Sequence, residues 1–72
     1  MKRIHVRSSV IDSVAYSRSK GVLEVDFTNG RRYRYRGVPD VVYEELMTAP
    51  SRGTYFLAHI RDVYPAERVS RN

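Results

Sequence analysis

The six residues Arg31-Arg32-Tyr33-Arg34-Tyr35-Arg36 carry four guanidinium groups and two phenols, in a chain whose net charge is +5. Cations hold phosphates and rings stack on bases, so this is the chemistry of nucleic-acid binding, provided both kinds of side chain share one surface. No other cluster offers catalysis. His5 lies near the N-terminus, and His59 has Asp62 three residues on, the spacing of helical neighbours rather than of an acid–base dyad. Glu44 and Glu45 belong to a solvated helix face, no His/Asp/Glu spacing fits a metal, and neither "TNG" nor "SRGT" is a phosphate-cradling glycine loop. The reading is therefore of a protein that is not an enzyme, with no catalytic residue, no metal ligand and no cofactor.

The placement of charge narrows the partners. Residues 1–7 hold Lys2, Arg3 and Arg7 with no anion, residues 66–72 hold Arg68 and Arg71 against Glu67, and the stretch between is close to neutral. Basic tails strengthen binding to any polyanion without reading its sequence, and also keep a small protein soluble. Cysteine is absent, which excludes disulfides and thiolate metal sites. The longest apolar runs are too short for a membrane span, and "MKRIHVRSS" lacks the apolar stretch of a secretion signal, so a cytoplasmic protein with no membrane partner is expected.

The elements that position the arginines and tyrosines can be read by phase. In "GVLEVDF", Leu23, Val25 and Phe27 alternate with Glu24 and Asp26, the pattern of a half-buried antiparallel strand. A two-residue Asn29-Gly30 turn would set Phe27 against Arg32 and mix charge with apolar groups on both faces. A three-residue Thr28-Asn29-Gly30 loop, closed by Gly30 in the left-handed region, pairs Phe27 with Arg31, Val25 with Tyr33 and Leu23 with Tyr35, and on the other face Asp26 with Arg32 and Glu24 with Arg34. Upstream, a four-residue loop Arg18-Ser19-Lys20-Gly21 sets Tyr16 opposite Leu23 and Val14 opposite Val25. Ile11 is out of phase with these, which predicts a bulge near Asp12-Ser13.

Two helices should follow. Pro39 suits a first helical turn and Asp40 favours the positive end of the helix dipole, while Val42, Tyr43, Leu46 and Ala49 form an apolar stripe that Pro50 ends. Ser51 or Thr54 caps a second helix, with Phe56, Ile60 and Val63 on one face and Pro65 as its stop. The expected fold is α+β: a three-stranded antiparallel β-meander followed by two short helices packed on one sheet face. Residues 8–65 form one domain between a basic N-terminal tail, 1–7, and a C-terminal tail, 66–72, though Ile4 and Val6 alternate with charge and could add an edge strand.

In that fold Tyr33 and Tyr35 lie beneath the helices as structural residues. Arg32 and Arg34 point to solvent beside Asp26 and Glu24, each exposed pair adding about 0.2–1 kcal/mol. Alternation thus keeps the rings apart from these cations. Arg31, Arg36, Arg52 and Arg61 have no evident anionic partner and are the candidates for phosphate contact.

Ile11, Val14-Ala15-Tyr16, "LEVDFTNG", "YRYRGVP", "VYEELMTA" and "SRGTYFLAHIRDVYP" together resemble the KTSC domain, a short bacterial domain named for its occurrence at the C-terminus of some lysyl-tRNA synthetases. The resemblance covers residues 8–65, and the signature Tyr-x-Tyr falls on Tyr33-Arg34-Tyr35. Leu57 stands where the family pattern has an asparagine after Tyr-Phe. The resemblance implies a non-catalytic binding module, RNA of the tRNA type being the preferred partner. The alternative partner is another protein, docked through a sheet edge or a helix face.

Overall fold

The computed structural model describes residues 1–71. The elements run β1 (Arg3–His5), β2 (Ile11–Ser17), β3 (Val22–Phe27), β4 (Arg32–Tyr35), α1 (Asp40–Thr48), α2 (Arg52–His59) and β5 (Ala66–Val69). All five strands form one antiparallel sheet in the order β1-β2-β3-β4-β5. The central meander has the expected register. Val25 faces Tyr33, Leu23 faces Tyr35, Asp26 faces Arg32 and Glu24 faces Arg34, while Tyr16 faces Leu23 and Val14 faces Val25. The register shifts between Ile11 and Ser13, so the bulge returns Ile11 to the apolar face.

The hairpin loop Thr28-Asn29-Gly30 closes as the pattern requires: the Phe27 amide donates to the Arg31 carbonyl at 2.8 Å and the Gly30 amide to the Phe27 carbonyl at 3.0 Å. Gly30 has φ +91°, a conformation that a side chain would strain.

The sheet has five strands where three were expected. Both added strands come from the segments read as tails. β1 pairs Arg3 with Ala15 and Ile4 with Val14, and β5 pairs Arg68 with Tyr33 and Glu67 with Arg34. As outer strands they need little apolar surface, and charged side chains suit an edge.

The helices cover one face of the sheet. Leu46 of α1 and Phe56 of α2 pack with Ile11, Val14, Leu23, Val25, Tyr35, Val38 and Ile60 in the buried core. Pro39 takes the N-cap position of α1 rather than its first turn, and Ala49 closes the helix before Pro50. Arg18 bridges from the β2–β3 loop to Asp40, at 3.2 Å, and to Glu44. Tyr16 stacks on Tyr43 at 4.5 Å and donates to the Val38 carbonyl at 2.6 Å. In α2, the Ser51 hydroxyl accepts from the Thr54 amide, which settles the cap. Val63 is not part of the buried stripe: α2 ends at His59, the chain turns, and Val63 is exposed.

Candidate functional site: an aromatic groove with a cationic rim

The two faces of β4 have different fates. On the face away from the helices, Glu24 and Asp26 are buried, Asp26 being 1% exposed. They are buried because guanidinium groups lie over them. Arg32 Nη2 donates to Asp26 Oδ2 at 2.9 Å and Arg34 Nη2 to Glu24 Oε2 at 3.0 Å. Arg3, from β1, reaches Glu24 and sits 3.4 Å from Asp26, and Arg71, beyond β5, reaches Asp26 at 3.3 Å. The hydrogen bond from Arg32, with the charges of Arg3, Arg32 and Arg71, holds the Asp26 carboxyl below its ordinary range against the opposing cost of burial. These are not the weak surface pairs expected from alternation. Tail cations expected to be free for a polyanion, Arg3 and Arg71, are committed to this network.

On the helix face, the same strand opens a groove of about 510 Å³, within the range of ligand pockets. The groove exists because α1 and α2 do not cover all of the rings. Tyr35 is buried, but Tyr33 is only half-buried. Phe27, Tyr33, Tyr35 and Phe56 line it, with Leu57 and Tyr64 beside them. The rings pack edge to face, Phe27 on Tyr33 at 5.9 Å, Phe27 on Phe56 at 5.3 Å and Tyr35 on Phe56 at 5.4 Å, an arrangement that fixes them without sealing Tyr33 away. Burial, before the nearby charges, pushes the Tyr35 phenol up to about 12, so it is a neutral donor at neutral pH.

Arg31, Arg61, Asp62 and Asn29 also belong to the lining. Alternation along β4 was expected to keep cations off the surface that carries the rings. It does so for Arg32 and Arg34. Arg31 stands opposite Phe27 across the hairpin, as the three-residue loop requires, and so borders the rings, and Arg61 joins them from beyond α2. Arg68 was not singled out from the sequence, because β5 was not; paired with Tyr33, it shares that residue's face of the sheet.

Of the four expected phosphate contacts, the fold brings Arg31 and Arg61 into one groove. Arg36, exposed just after β4, and Arg52 do not line it. Arg52 Nη2 donates to the Met47 carbonyl at 2.8 Å, tying α2 to α1. The histidines lie elsewhere: His5 is 3.9 Å from Asp12, and the His59 ring lies 4.5 Å from Tyr55. Among the described residues no His/Asp/Glu group is arranged to hold a metal, and no helix is long and apolar enough to cross a membrane. Rings and cations together suit a planar, anionic ligand.

Comparison with known proteins agrees with this architecture. The model of the KTSC domain matches residues 7–64. A protein from Stutzerimonas stutzeri (strain A1501) is 41% identical over 56 residues, covering 78% of this chain and 79% of its own length. A lysine–tRNA ligase from Nostoc punctiforme is 36% identical over 62 residues, which cover 86% of this chain and only 11% of the ligase. The crystal structure of a KTSC domain protein from Yersinia pestis superposes with a TM-score of 0.90 at 31% identity, covering 96% of this chain and 97% of that one. The chain belongs to the KTSC domain family.

Proposed function

We propose that this chain is a non-catalytic binding module that takes a single-stranded stretch of RNA into the aromatic groove. The observation that carries the reading is the half-buried Tyr33 lining one groove together with Arg31 and Arg61. A base stacks on the ring while the flanking phosphates meet the guanidinium groups, the combination used by single-strand binders. Arg68 adds positive charge on the same side, and Arg36 serves a phosphate outside the groove. That a lysine–tRNA ligase carries a similar segment supports an RNA partner.

Fluorescence anisotropy with a labelled single-stranded RNA octamer, repeated across a salt series, tests this. Affinity should fall with salt with a slope of about −0.7 per phosphate neutralised. Binding unchanged by reversing Arg31 and Arg61 to glutamate would remove the proposal. One observation favours a second reading: β5 is an outer strand of the sheet, the position at which another protein adds a strand. A pull-down from lysate with and without nuclease separates the two, because only a protein partner survives the nuclease.

A further inference from the structure

Among the described residues, Asp62 is the only one other than glycine with a positive φ, 64°. It follows the end of α2, where the Val63 and Tyr64 amides turn back to the Ile60 carbonyl at 3.1 and 3.3 Å. Glycine holds such a position without steric cost, and aspartate tolerates it. What aspartate adds is a carboxylate. This one is 92% exposed, lines the groove, and has its nearest cation, Arg61 Nε, at 3.9 Å. It contributes nothing to the core, and on the rim of a groove that receives phosphates it opposes the backbone of the ligand. Its presence becomes favourable when the ligand brings hydrogen-bond donors to it.

The bases differ in what they bring. Guanine presents two neighbouring N–H donors on its Watson–Crick edge, spaced to meet both oxygens of one carboxylate. Adenine and cytosine present an amino group beside a ring acceptor that a carboxylate repels, and uracil presents one N–H between two acceptors. On these grounds, and resting on the RNA reading above, we infer that Asp62 makes the groove selective for guanine. Tyr33 holds the ring of the base, Arg31 and Arg61 hold the phosphates, and Asp62 reads the edge.

The test uses the full chain and labelled uridine octamers carrying one central guanosine, adenosine, cytidine or inosine, with the all-uridine octamer as reference. The guanosine octamer should bind about tenfold more tightly than the others, the lower range of discrimination by a bidentate contact. Inosine, which lacks the 2-amino donor, should lose most of that gain. Asp62→Gly should bring all five octamers within about twofold of one another while melting at the same or a higher temperature, since glycine relieves the positive φ. Asp62→Asn should weaken the preference without altering the fold. Equal affinity of the wild type for all five, or a guanosine preference that persists in Asp62→Gly, would overturn the inference while leaving the RNA reading in place. If none of the octamers binds, both are overturned.

Discussion

Arg32 lies directly across the β3–β4 ladder from Asp26, and its guanidinium takes both carboxylate oxygens, with Nη2 to Oδ2 at 2.9 Å. Arg3 and Arg71 approach the same carboxylate from the two ends of the described chain. One buried acid therefore fastens both outer strands to the middle of the sheet.

Acid should loosen that fastening. The Asp26 carboxyl titrates below its ordinary value of 3.8 in the fold, chiefly through the Arg32 hydrogen bond. A depressed folded value means that its stabilisation is fully present above pH 3.8 and is lost as pH falls through the lower, folded value. Asp26→Ala should cost about 3 kcal/mol at neutral pH, because it leaves several guanidinium groups facing one another over a buried site. Urea denaturation at pH 7 and pH 3 measures both. The variant should lose stability at pH 7 and show less further loss on acidification than wild type.

The base of the hairpin sets a second expectation. Gly30 holds φ +91°, and a side chain there would meet open space, with only Arg71 Nη1 at 4.0 Å, so strain rather than collision decides the outcome. Gly30→Val should destabilise by about 1–2 kcal/mol. In a domain of this size that lowers the melting temperature by roughly 4–16 °C. Unchanged melting would mean that the loop accommodates a β-branched side chain at this position without strain.

The meander was legible because one loop length sorted Leu23, Val25 and Phe27 from Glu24 and Asp26 on both partner strands at once. β5 was not legible: Ala66, Glu67, Arg68 and Val69 carry too little apolar contrast to show alternation, since an edge strand buries so little. With β5 unseen, Arg71 had no reason to approach Asp26, and the burial of both acids was hidden. In the sequence Arg31 and Arg61 stand out as cations with no evident anionic partner, although the fold sets Arg61 3.9 Å from Asp62; that both line the groove with Tyr33 depends on where α2 ends, a tertiary fact that no local spacing reports.

The helical layer has its own titration. The Tyr55 hydroxyl donates to Glu45 Oε1 at 2.6 Å, joining α2 to α1, and burial followed by this carboxylate pushes the phenol up to about 12. A raised folded value means that stability is fully present below the ordinary value of 10 and drains as pH climbs from 10 toward 12. Tyr55→Phe should cost about 1 kcal/mol at pH 7 and should flatten part of that alkaline loss. Thermal melts between pH 7 and 11 would show it, and an unaltered alkaline slope in the variant would count against the bond.

Tyr33 and Tyr35 lie on one strand and one face, yet should respond differently to truncation. Tyr35 is 5% exposed and touches Phe56, so Tyr35→Ala should destabilise by about 3–5 kcal/mol, enough to unfold much of a domain this small. Tyr33 is half-buried and faces the groove, so Tyr33→Ala should leave a folded protein whose affinity for single-stranded RNA falls at least fivefold, the value of a lost stacking contact of about 1–3 kcal/mol. Circular dichroism establishes folding before the anisotropy titration is read. A folded Tyr33→Ala variant that binds as tightly as wild type would detach the ring from binding.

Charge reversal then separates the cations by position. Arg31 and Arg61 border the groove, so changing both to glutamate should reduce the magnitude of the salt slope by about 1.4, two phosphates at about 0.7 each. Arg36 lies outside the groove and should account for no more than about 0.7. Arg52 is held by the Met47 carbonyl, so its reversal should lower the melting temperature and leave the slope close to wild type. Arg32 and Arg34 are occupied by Asp26 and Glu24, and exchanging either for lysine should likewise act on stability before affinity, because an ammonium cannot reproduce the forked contact. A slope that falls most when Arg32 or Arg34 is changed would move the polyanion to the opposite face of the sheet, where phosphates would have to compete with two buried carboxylates for the same guanidinium groups.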